Sequence, residues 1–207
     1  MNASFDKASC RRCTSGSHGD ISNKKQPYSL TVATANTTCW ASARKYLVKR
    51  ATAQVICLEE HKLCTKAEID EASEWCARHG WKSIWGPANP STEGGEASGG
   101  TAVLARDHLG LVGADTLLDP SARVCAAKPD FPGGRRTLVI ATYLKCSVGL
   151  NQENVRLLGA IGSAISRWGG QAIVGGDFNN VPDDMAASGI ADAMGTRVVA
   201  PFAPRGT

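Results

Sequence analysis

The sequence predicts an α/β fold in which the sheets are mixed or antiparallel. Segments with helical periodicity alternate with short apolar runs rich in β-branched residues, a pattern typical of α/β proteins. Between residues 100 and 143, several strand-like runs follow one another without a helix between them. Successive strands of a parallel sheet need a long crossover, usually a helix, so these strands favour antiparallel pairing. With 207 residues, of which 43% are apolar, the chain can form one domain with a sizeable core.

The elements of the first half alternate between strand and helix. The predicted elements are a strand over residues 28–35, a helix over 40–50, a strand over 54–58, a helix over 65–80 and a strand over 81–85. The second helix has the clearest boundaries, because Thr65 and Glu68 form a capping-box pattern and Gly80 suits a left-handed C-terminal cap.

The second half is richer in strands. A loop containing Pro, Gly, Ser and Glu is predicted over residues 87–98. Strands follow over residues 100–106, 109–116, 122–127 and 137–143, and a last strand is predicted over 171–176. Between the last two strands, Asn151 is expected to cap a helix that runs to Trp168.

Residues 1–27 are polar with little apolar periodicity, so they are predicted to be a flexible arm ahead of a domain over 28–207. Cys10 and Cys13 have the spacing of zinc ligands and His18 lies nearby, but no second pair completes a site. Zinc binding by this arm is therefore the less favoured interpretation.

Composition gives expectations about partners and compartment. The net charge of +4 is compatible with a phosphate-bearing substrate. The first residues lack the apolar segment of a signal peptide, and no run is long enough for a membrane-spanning helix. The eight cysteines are irregularly spaced, as expected for reduced thiols. The expected location is intracellular, in the nucleus or the cytoplasm.

The most informative segment runs from Gly175 to Asn179 and follows the apolar residues 172–174. Because side chains alternate along an extended strand, Asp177 and Asn179 are expected to point the same way beyond the strand end. A carboxylate beside an amide suits a metal-assisted attack on a phosphate. The competing interpretation is a glycine-rich turn closed by two ordinary turn residues.

Other polar residues stand at predicted strand ends. Asn36 follows the first strand, Glu59 and Glu60 follow the second, and Tyr143 ends the strand over 137–143. In layered α/β folds, ligands gather beyond strand ends, where loops converge. A carboxylate on one strand end and Asp177 on another can hold Mg²⁺, which prefers hard oxygen ligands and keeps several waters.

These motifs resemble those of the endonuclease/exonuclease/phosphatase superfamily, which includes exonuclease III-like and deoxyribonuclease I-like enzymes. The resemblance covers residues 29–207, and its order and spacing are more specific than any one piece. The matching segments are Thr34-Ala35-Asn36, Ile56-Cys57-Leu58-Glu59-Glu60-His61-Lys62, Gly99-Gly100-Thr101-Ala102-Val103-Leu104, Ala141-Thr142-Tyr143, Asn154 and Gly175-Gly176-Asp177-Phe178-Asn179. The implied fold is a four-layer α/β sandwich with two mixed, largely antiparallel sheets, deoxyribonuclease I-like, with its last strands missing.

The resemblance also implies a role for each matching residue. Glu60 corresponds to the metal-binding glutamate, and Asn36 to the asparagine beside that metal and the phosphate. Tyr143 corresponds to a tyrosine that contacts the scissile phosphate, and Asp177 to the aspartate that positions or activates the attacking water near the metal. Asn179 corresponds to the asparagine that hydrogen-bonds the phosphate. The implied metal is Mg²⁺, with Mn²⁺ as the alternative.

Several of these residues, taken singly, also have a non-catalytic interpretation. Glu60 also suits an ordinary solvated acid, Tyr143 a core aromatic and Asn36 a turn residue. His61 is predicted to be a surface histidine rather than a base or ligand. Asn154 is predicted to be structural, an amide near the start of a helix that holds the adjoining loop.

The chain departs from the family pattern in two places. Glu59 stands where the family usually has Gln, which adds a negative charge and leaves open which acid is the ligand. The family pattern ends in a Ser-Asp-His segment, whereas no histidine follows His108 here. The expectation is a fragment or truncated gene product, and loss of a positioned acid–base group costs about 10²–10⁴ in rate.

Taken together, the residues predict a Mg²⁺-dependent phosphodiesterase, an endonuclease acting on DNA or RNA. A retrotransposon polyprotein is a setting that fits this chain. One alternative is an inactive remnant or binding domain that lacks the C-terminal histidine. A second is a phosphatase acting on a small or lipid phosphoester. The expected partner is nucleic acid rather than a membrane, and the chain is expected to be a monomer or part of a larger polyprotein.

Overall fold

Two β-sheets packed face to face, with helices on both outer faces, form a four-layer α/β sandwich. The computed structural model describes residues 30–90, 96–114, 122–131 and 135–200. The predicted arm over 1–27, and with it the zinc alternative at Cys10 and Cys13, lies outside these residues. No helix among those described is both long and apolar enough to cross a membrane.

The first sheet has the strand order β1-β2-β4-β3. Its strands are β1 (Val32–Asn36), β2 (Val55–Glu59), β3 (Trp81–Gly86) and β4 (Thr101–Arg106). The pair β1/β2 is parallel, because helix α1 (Trp40–Lys49) provides the crossover between them, and the other pairs are antiparallel.

The second sheet has the order β5-β6-β8-β9, with β7 paired to β6. Its strands are β5 (Gly110–Gly113), β6 (Val124–Phe131), β7 (Arg135–Arg136), β8 (Leu138–Tyr143) and β9 (Ala172–Asp177). Only the β8/β9 pair is parallel within this sheet, and helix α3 (Gln152–Trp168) is its crossover.

Three apolar clusters hold the layers together. The cluster between the sheets contains alternate residues of the central strands, among them Cys57, Val103, Cys125 and Val139. The helices α1 and α2 (Lys66–Arg78) cover the outer face of the first sheet, and α3 covers the outer face of the second. The central strands are apolar on both faces because each face meets another layer.

Most predicted elements are confirmed. Thr65 and Glu68 form the capping box of α2, Gly80 has a φ of 78° in the left-handed region, and the Asn151 side chain caps α3. The cysteines of the core, Cys57, Cys76 and Cys125, are buried, and they are free thiols, as predicted. The sequence analysis did not predict β7 or the short helices α4 (Pro182–Ala187) and α5 (Ile190–Ala193). One or two turns are too short to produce a periodic pattern.

The topology brings several strand ends to one edge of the sandwich. The parallel register pairs Asn36 with Glu59 in the first sheet and Tyr143 with Asp177 in the second. The antiparallel strand β4 begins at the same edge, where Thr101 pairs with Glu59. All the predicted strand-end residues therefore lie on the same side of the molecule.

Candidate active site

The central contact of the site joins the two sheets. Asn36, at the end of β1, donates a hydrogen bond from Nδ2 to Oδ2 of Asp177 at 3.1 Å, although the two residues are 141 positions apart. The Oδ1 atom of Asn36 accepts a bond from the backbone N–H of Thr38 at 3.2 Å. The amide group is thus held at both ends, and it fixes the orientation of the Asp177 carboxylate.

Asp177 also closes a turn with Asn179. Its Oδ1 atom accepts the backbone N–H of Asn179 at 3.0 Å, and Asn179 has a φ of 46° in the left-handed region. Asn179 donates from Nδ2 to the backbone oxygen of Leu144 at 2.7 Å. This is an Asx-type turn, so the interpretation of the segment as a turn and its interpretation as a site describe the same geometry.

The two glycines before Asp177 allow β9 to approach its neighbours closely. A Cβ atom on Gly176 would lie 1.8 Å from the backbone oxygen of Thr142, and one on Gly175 would lie 2.8 Å from Sγ of Cys57. Neither distance is possible for a real side chain. The glycine pair therefore sets where Asp177 lies relative to both sheets.

Tyr143 lies at the end of β8 and is 8% exposed. The guanidinium carbon of Arg123 lies 5.1 Å from the centre of its ring. Burial, together with the hydrogen bond and negative charge of the Glu60 carboxylate, raises the pKa of Tyr143 well above its usual value. The hydroxyl therefore stays protonated at neutral pH and is a hydrogen-bond donor.

The two adjacent acids occupy different environments. Glu60 lies just beyond β2, is partly exposed and has a φ of 57°. Glu59 lies on the inner face of β2 and is fully buried. Its Oε1 atom accepts a bond from the Thr34 hydroxyl at 2.8 Å, while Oε2 has no hydrogen-bond partner among the described residues. Burial raises the pKa of Glu59 well above its ordinary value, and the negative charge of Asp177 adds to this.

His61 is not the surface histidine that the sequence predicted. It is 1% exposed, its Nδ1 accepts the backbone N–H of Leu63 at 3.0 Å, and its Nε2 lies 3.2 Å from the oxygen of Gly86. These partners identify the neutral tautomer with the proton on Nε2. Burial lowers the pKa of His61 to about 4. Its ring fits against Gly100, where a Cβ would come within 2.6 Å of it.

Asn154 has the structural role that the sequence predicted. It is 1% exposed, and its Oδ1 accepts the N–H of Lys145 at 2.9 Å. Its Nδ2 donates to the oxygens of Lys145 and Gly149 at 3.1 and 2.7 Å. The amide therefore fixes the loop after β8, which also contains the Leu144 oxygen that Asn179 contacts.

The oxygen atoms at this edge suit a small divalent cation. Within residues 30–90, 96–114, 122–131 and 135–200, no three His, Cys, Asp or Glu side chains meet as a ready metal cage. Mg²⁺ does not need one, because it is usually held by one or two carboxylates and keeps several waters. Asp177 and Glu60 fit that requirement. They lie near the buried Oε2 atom of Glu59, which has no hydrogen-bond partner among the described residues.

An open cavity of about 570 Å³ adjoins the site. It is lined by Thr38, Cys39, Lys62, Glu96 and Ala97. Thr38 and Lys62 lie two positions beyond Asn36 and Glu60, and Lys62 forms an ion pair with Glu96 at 2.5 Å. The cavity leaves room beside the site for a substrate larger than a single phosphate.

The sequence identified the residues that meet here but missed some of their partners. Asn36, Asp177 and Asn179 are linked by hydrogen bonds, and Tyr143 is linked to Glu60. Thr34 was not predicted as a partner of Glu59. Its position two residues before Asn36, on the same face of β1, was the available signal. Arg123 follows a stretch without strand pattern, and nothing in the sequence marks it as a neighbour of Tyr143.

No protein-family model and no curated protein sequence matches this chain. Solved structures do match its fold. The human nocturnin catalytic domain, with a bound sulfate anion, superimposes with a TM-score of 0.51 and 18% identity, over 78% of this chain and 70% of that one. The endonuclease domain of TRAS1, a telomere-specific non-LTR retrotransposon, superimposes with a TM-score of 0.50 and 14% identity, over 80% of this chain and 71% of that one.

AP endonuclease LMAP from Leishmania major also matches, with a TM-score of 0.46 and 17% identity over 72% of this chain. This chain spans 54% of the length of that enzyme. The matched proteins are members of the endonuclease/exonuclease/phosphatase superfamily. The fold that the sequence resemblance implied is therefore confirmed: the chain has the deoxyribonuclease I-like α/β sandwich.

Proposed function

We propose that this chain is a metal-dependent hydrolase of phosphodiester bonds, and specifically an endonuclease acting on DNA or RNA. The observation that carries the proposal is the hydrogen bond between Asn36 and Asp177, which joins the two sheets where four strands carry polar residues. The stability of the fold does not require a carboxylate, two amides, a tyrosine and a glutamate to meet at one edge. A site that attacks phosphate does require such groups.

The proposed cofactor is Mg²⁺, with Mn²⁺ as a substitute, held by Glu60, Asp177 and Asn36. When bound, the cation neutralises the charge of the phosphate and stabilises the leaving oxygen. The oxygen-rich donor set supports this choice over zinc, which favours nitrogen and sulfur ligands.

In the proposed reaction, Asp177 orients the attacking water and accepts its proton. The water oxygen forms a bond to phosphorus, the bond from phosphorus to the leaving sugar oxygen breaks, and that oxygen takes a proton from solvent. Asn36 holds the Asp177 carboxylate through the bond to Oδ2, so little reorganisation is needed.

Tyr143 and Asn179 are the proposed hydrogen-bond donors to the phosphate. The raised pKa of Tyr143 keeps its hydroxyl protonated at neutral pH, and its single O–H would exchange Glu60 for the phosphate when substrate binds. The Asn179 amide is already oriented by its bond to the Leu144 oxygen, which uses one of its two N–H groups. Donors that are fixed before the reaction stabilise the charge that develops on the phosphate oxygens.

Nucleic acid is the proposed substrate for two reasons. The net charge of +4 favours an anionic polymer. The TRAS1 domain, one of the structures with the same fold, is an endonuclease of a retrotransposon. That likeness also supports a retrotransposon origin for this chain.

Nicking of supercoiled plasmid, with Mg²⁺ and with EDTA, tests the proposal. The wild-type chain is expected to nick plasmid only with Mg²⁺, and Asp177→Ala is expected to lower the rate by about 10²–10⁴. Asp192→Ala, which removes an exposed acid on α5, is the matched control and is expected to retain the rate.

The outcomes separate the alternatives. Hydrolysis of a small phosphoester without cleavage of plasmid or of an RNA strand would replace the endonuclease by a phosphatase. Absence of hydrolysis of every phosphoester by folded protein would contradict an enzymatic role and would leave the inactive remnant.

A further inference from the structure

Glu59 differs from every other acid at this edge, because it is fully buried on the inner face of β2. Register places it beside Asn36, since Asn36 and Glu59 are partners in the parallel β1/β2 pair. Asn36 in turn donates to Asp177 from the facing sheet. Glu59 therefore lies close to the contact on which the proposed function depends.

The two oxygens of Glu59 are not equivalent. Oε1 accepts the hydroxyl of Thr34 at 2.8 Å, which fixes the plane of the carboxylate. Oε2 is buried as well and has no hydrogen-bond partner of good geometry among the described residues, although the backbone of Ala35 lies near the carboxylate. Buried polar atoms nearly always have a partner, so an unpartnered carboxylate oxygen indicates that something else binds there.

The charges around Glu59 indicate the sign of the missing partner. Asp177 and Glu60 both act on it electrostatically, and both are acids. Three neighbouring carboxyl groups, one of them without solvent, repel one another unless a proton or a bound cation offsets their charge. The groups that favour the charged form of Glu59 are the Thr34 hydroxyl and the Ala35 backbone.

We propose that Glu59 is an additional ligand of the cation, an inference that rests on the proposed function. Glu59 would bind the cation through Oε2, together with Asp177. The site then contains Glu59 from the first sheet and Asp177 from the second, in addition to Glu60. A cation at this position would supply the partner that Oε2 lacks and would offset the repulsion between the acids. Thr34 would act as a positioning residue, by holding the carboxylate so that Oε2 faces the cation.

Mn²⁺ binding to the full chain without substrate tests this assignment. Free Mn²⁺ is followed by electron paramagnetic resonance during a titration, so the result does not depend on activity. Glu59→Gln keeps the size of the side chain and an acceptor for Thr34. It is expected to raise the Kd for Mn²⁺ on the order of 10-fold or more, and Thr34→Val is expected to raise it by a smaller factor. Glu71→Gln, which removes an exposed acid of α2, is the charge-matched control and should leave the Kd unchanged.

The outcomes distinguish this inference from the proposed function. If Asp177→Asn and Glu60→Gln weaken Mn²⁺ binding while Glu59→Gln binds as tightly as wild type, Glu59 is not a ligand and the proposed function stands. If the wild-type chain binds no Mn²⁺, the metal requirement of the proposed function fails and the inference fails with it. Should Glu59→Gln not fold, as judged by circular dichroism, the Thr34→Val result decides.

Discussion

At the scale of single residues, Glu59 and His61 are two buried titratable groups on either side of Glu60. The sequence wrongly predicted His61 to be at the surface, and it gave no prediction for the burial of Glu59. An acid after an apolar strand is usually solvated, and the burial of Glu59 arises from the facing sheet. The burial of His61 depends on Gly100, which leaves room for the ring. By contrast, Asn36, Tyr143 and Asp177 were predictable, because a polar residue at a strand end stands out against the apolar residues before it.

The buried His61 makes the stability of the protein depend on pH. In the unfolded chain His61 binds a proton near pH 6.5, whereas in the folded protein its pKa is about 4, because burial disfavours the charged ring. Between pH 6.5 and pH 4, His61 binds a proton more readily in the unfolded chain than in the folded protein. The free energy of unfolding therefore falls as the pH is lowered through this range.

Urea unfolding at pH 7.5 and pH 4 measures this effect. Between these two values, the wild type is expected to lose about 3 kcal/mol more than His61→Gln. Comparison of the two proteins removes the contributions of other groups, including Glu59. Equal losses in the two proteins would show that His61 is protonated or exposed in the folded state.

At the scale of elements, local signals predicted the long helices and the central strands. The capping box of α2 and the Asn151 cap of α3 are contained within four residues of sequence, so no tertiary information was needed. The helices α4 and α5 have six and four residues. Elements of that length are stabilised by packing rather than by their own periodicity, which is why the sequence did not reveal them.

Loss of the capping box should destabilise the protein without affecting the site. Thr65→Ala removes the side chain that accepts the N–H of Glu68, and the expected loss in the free energy of unfolding is about 1 kcal/mol. Chemical denaturation measures the loss, and Thr65→Ser, which keeps the hydroxyl, is the control. A Thr65→Ala protein as stable as wild type would contradict the role of the box.

The approach of β9 to β8 should depend on Gly176. A Cβ there would overlap the Thr142 oxygen, so Gly176→Ala is expected to cost about 1–3 kcal/mol and to displace Asp177, with loss of hydrolysis. Gly159→Ala on α3 meets no atom within 4 Å, and its expected effect is neutral or stabilising by up to about 1 kcal/mol. Thermal unfolding and plasmid nicking measure both effects. If the two variants behave alike, the close approach is not a constraint.

At the scale of the whole molecule, the sandwich places residues from distant parts of the chain at one edge. The pattern of strands and helices predicted an α/β fold with mixed or antiparallel sheets. The arrangement in two packed sheets was implied by the resemblance to the superfamily. It did not predict which atoms meet between the sheets. The bond from Asn36 to Asp177 spans 141 positions and depends on how the two sheets pack.

The central claim is that Asn36 and Asp177 form one catalytic unit across the two sheets. The most direct measurement is a double-mutant cycle on the Mg²⁺-dependent nicking rate, with Asn36→Ala, Asp177→Asn and the double variant. Asn36→Ala alone is expected to slow nicking by about 100-fold, because Asp177 loses its orientation. In the Asp177→Asn background its effect should be much smaller, because the orientation of Asp177 no longer matters and only the contact of Asn36 with the cation is lost. Independent effects that multiply in the double variant, or an Asn36→Ala rate equal to wild type, would contradict the account.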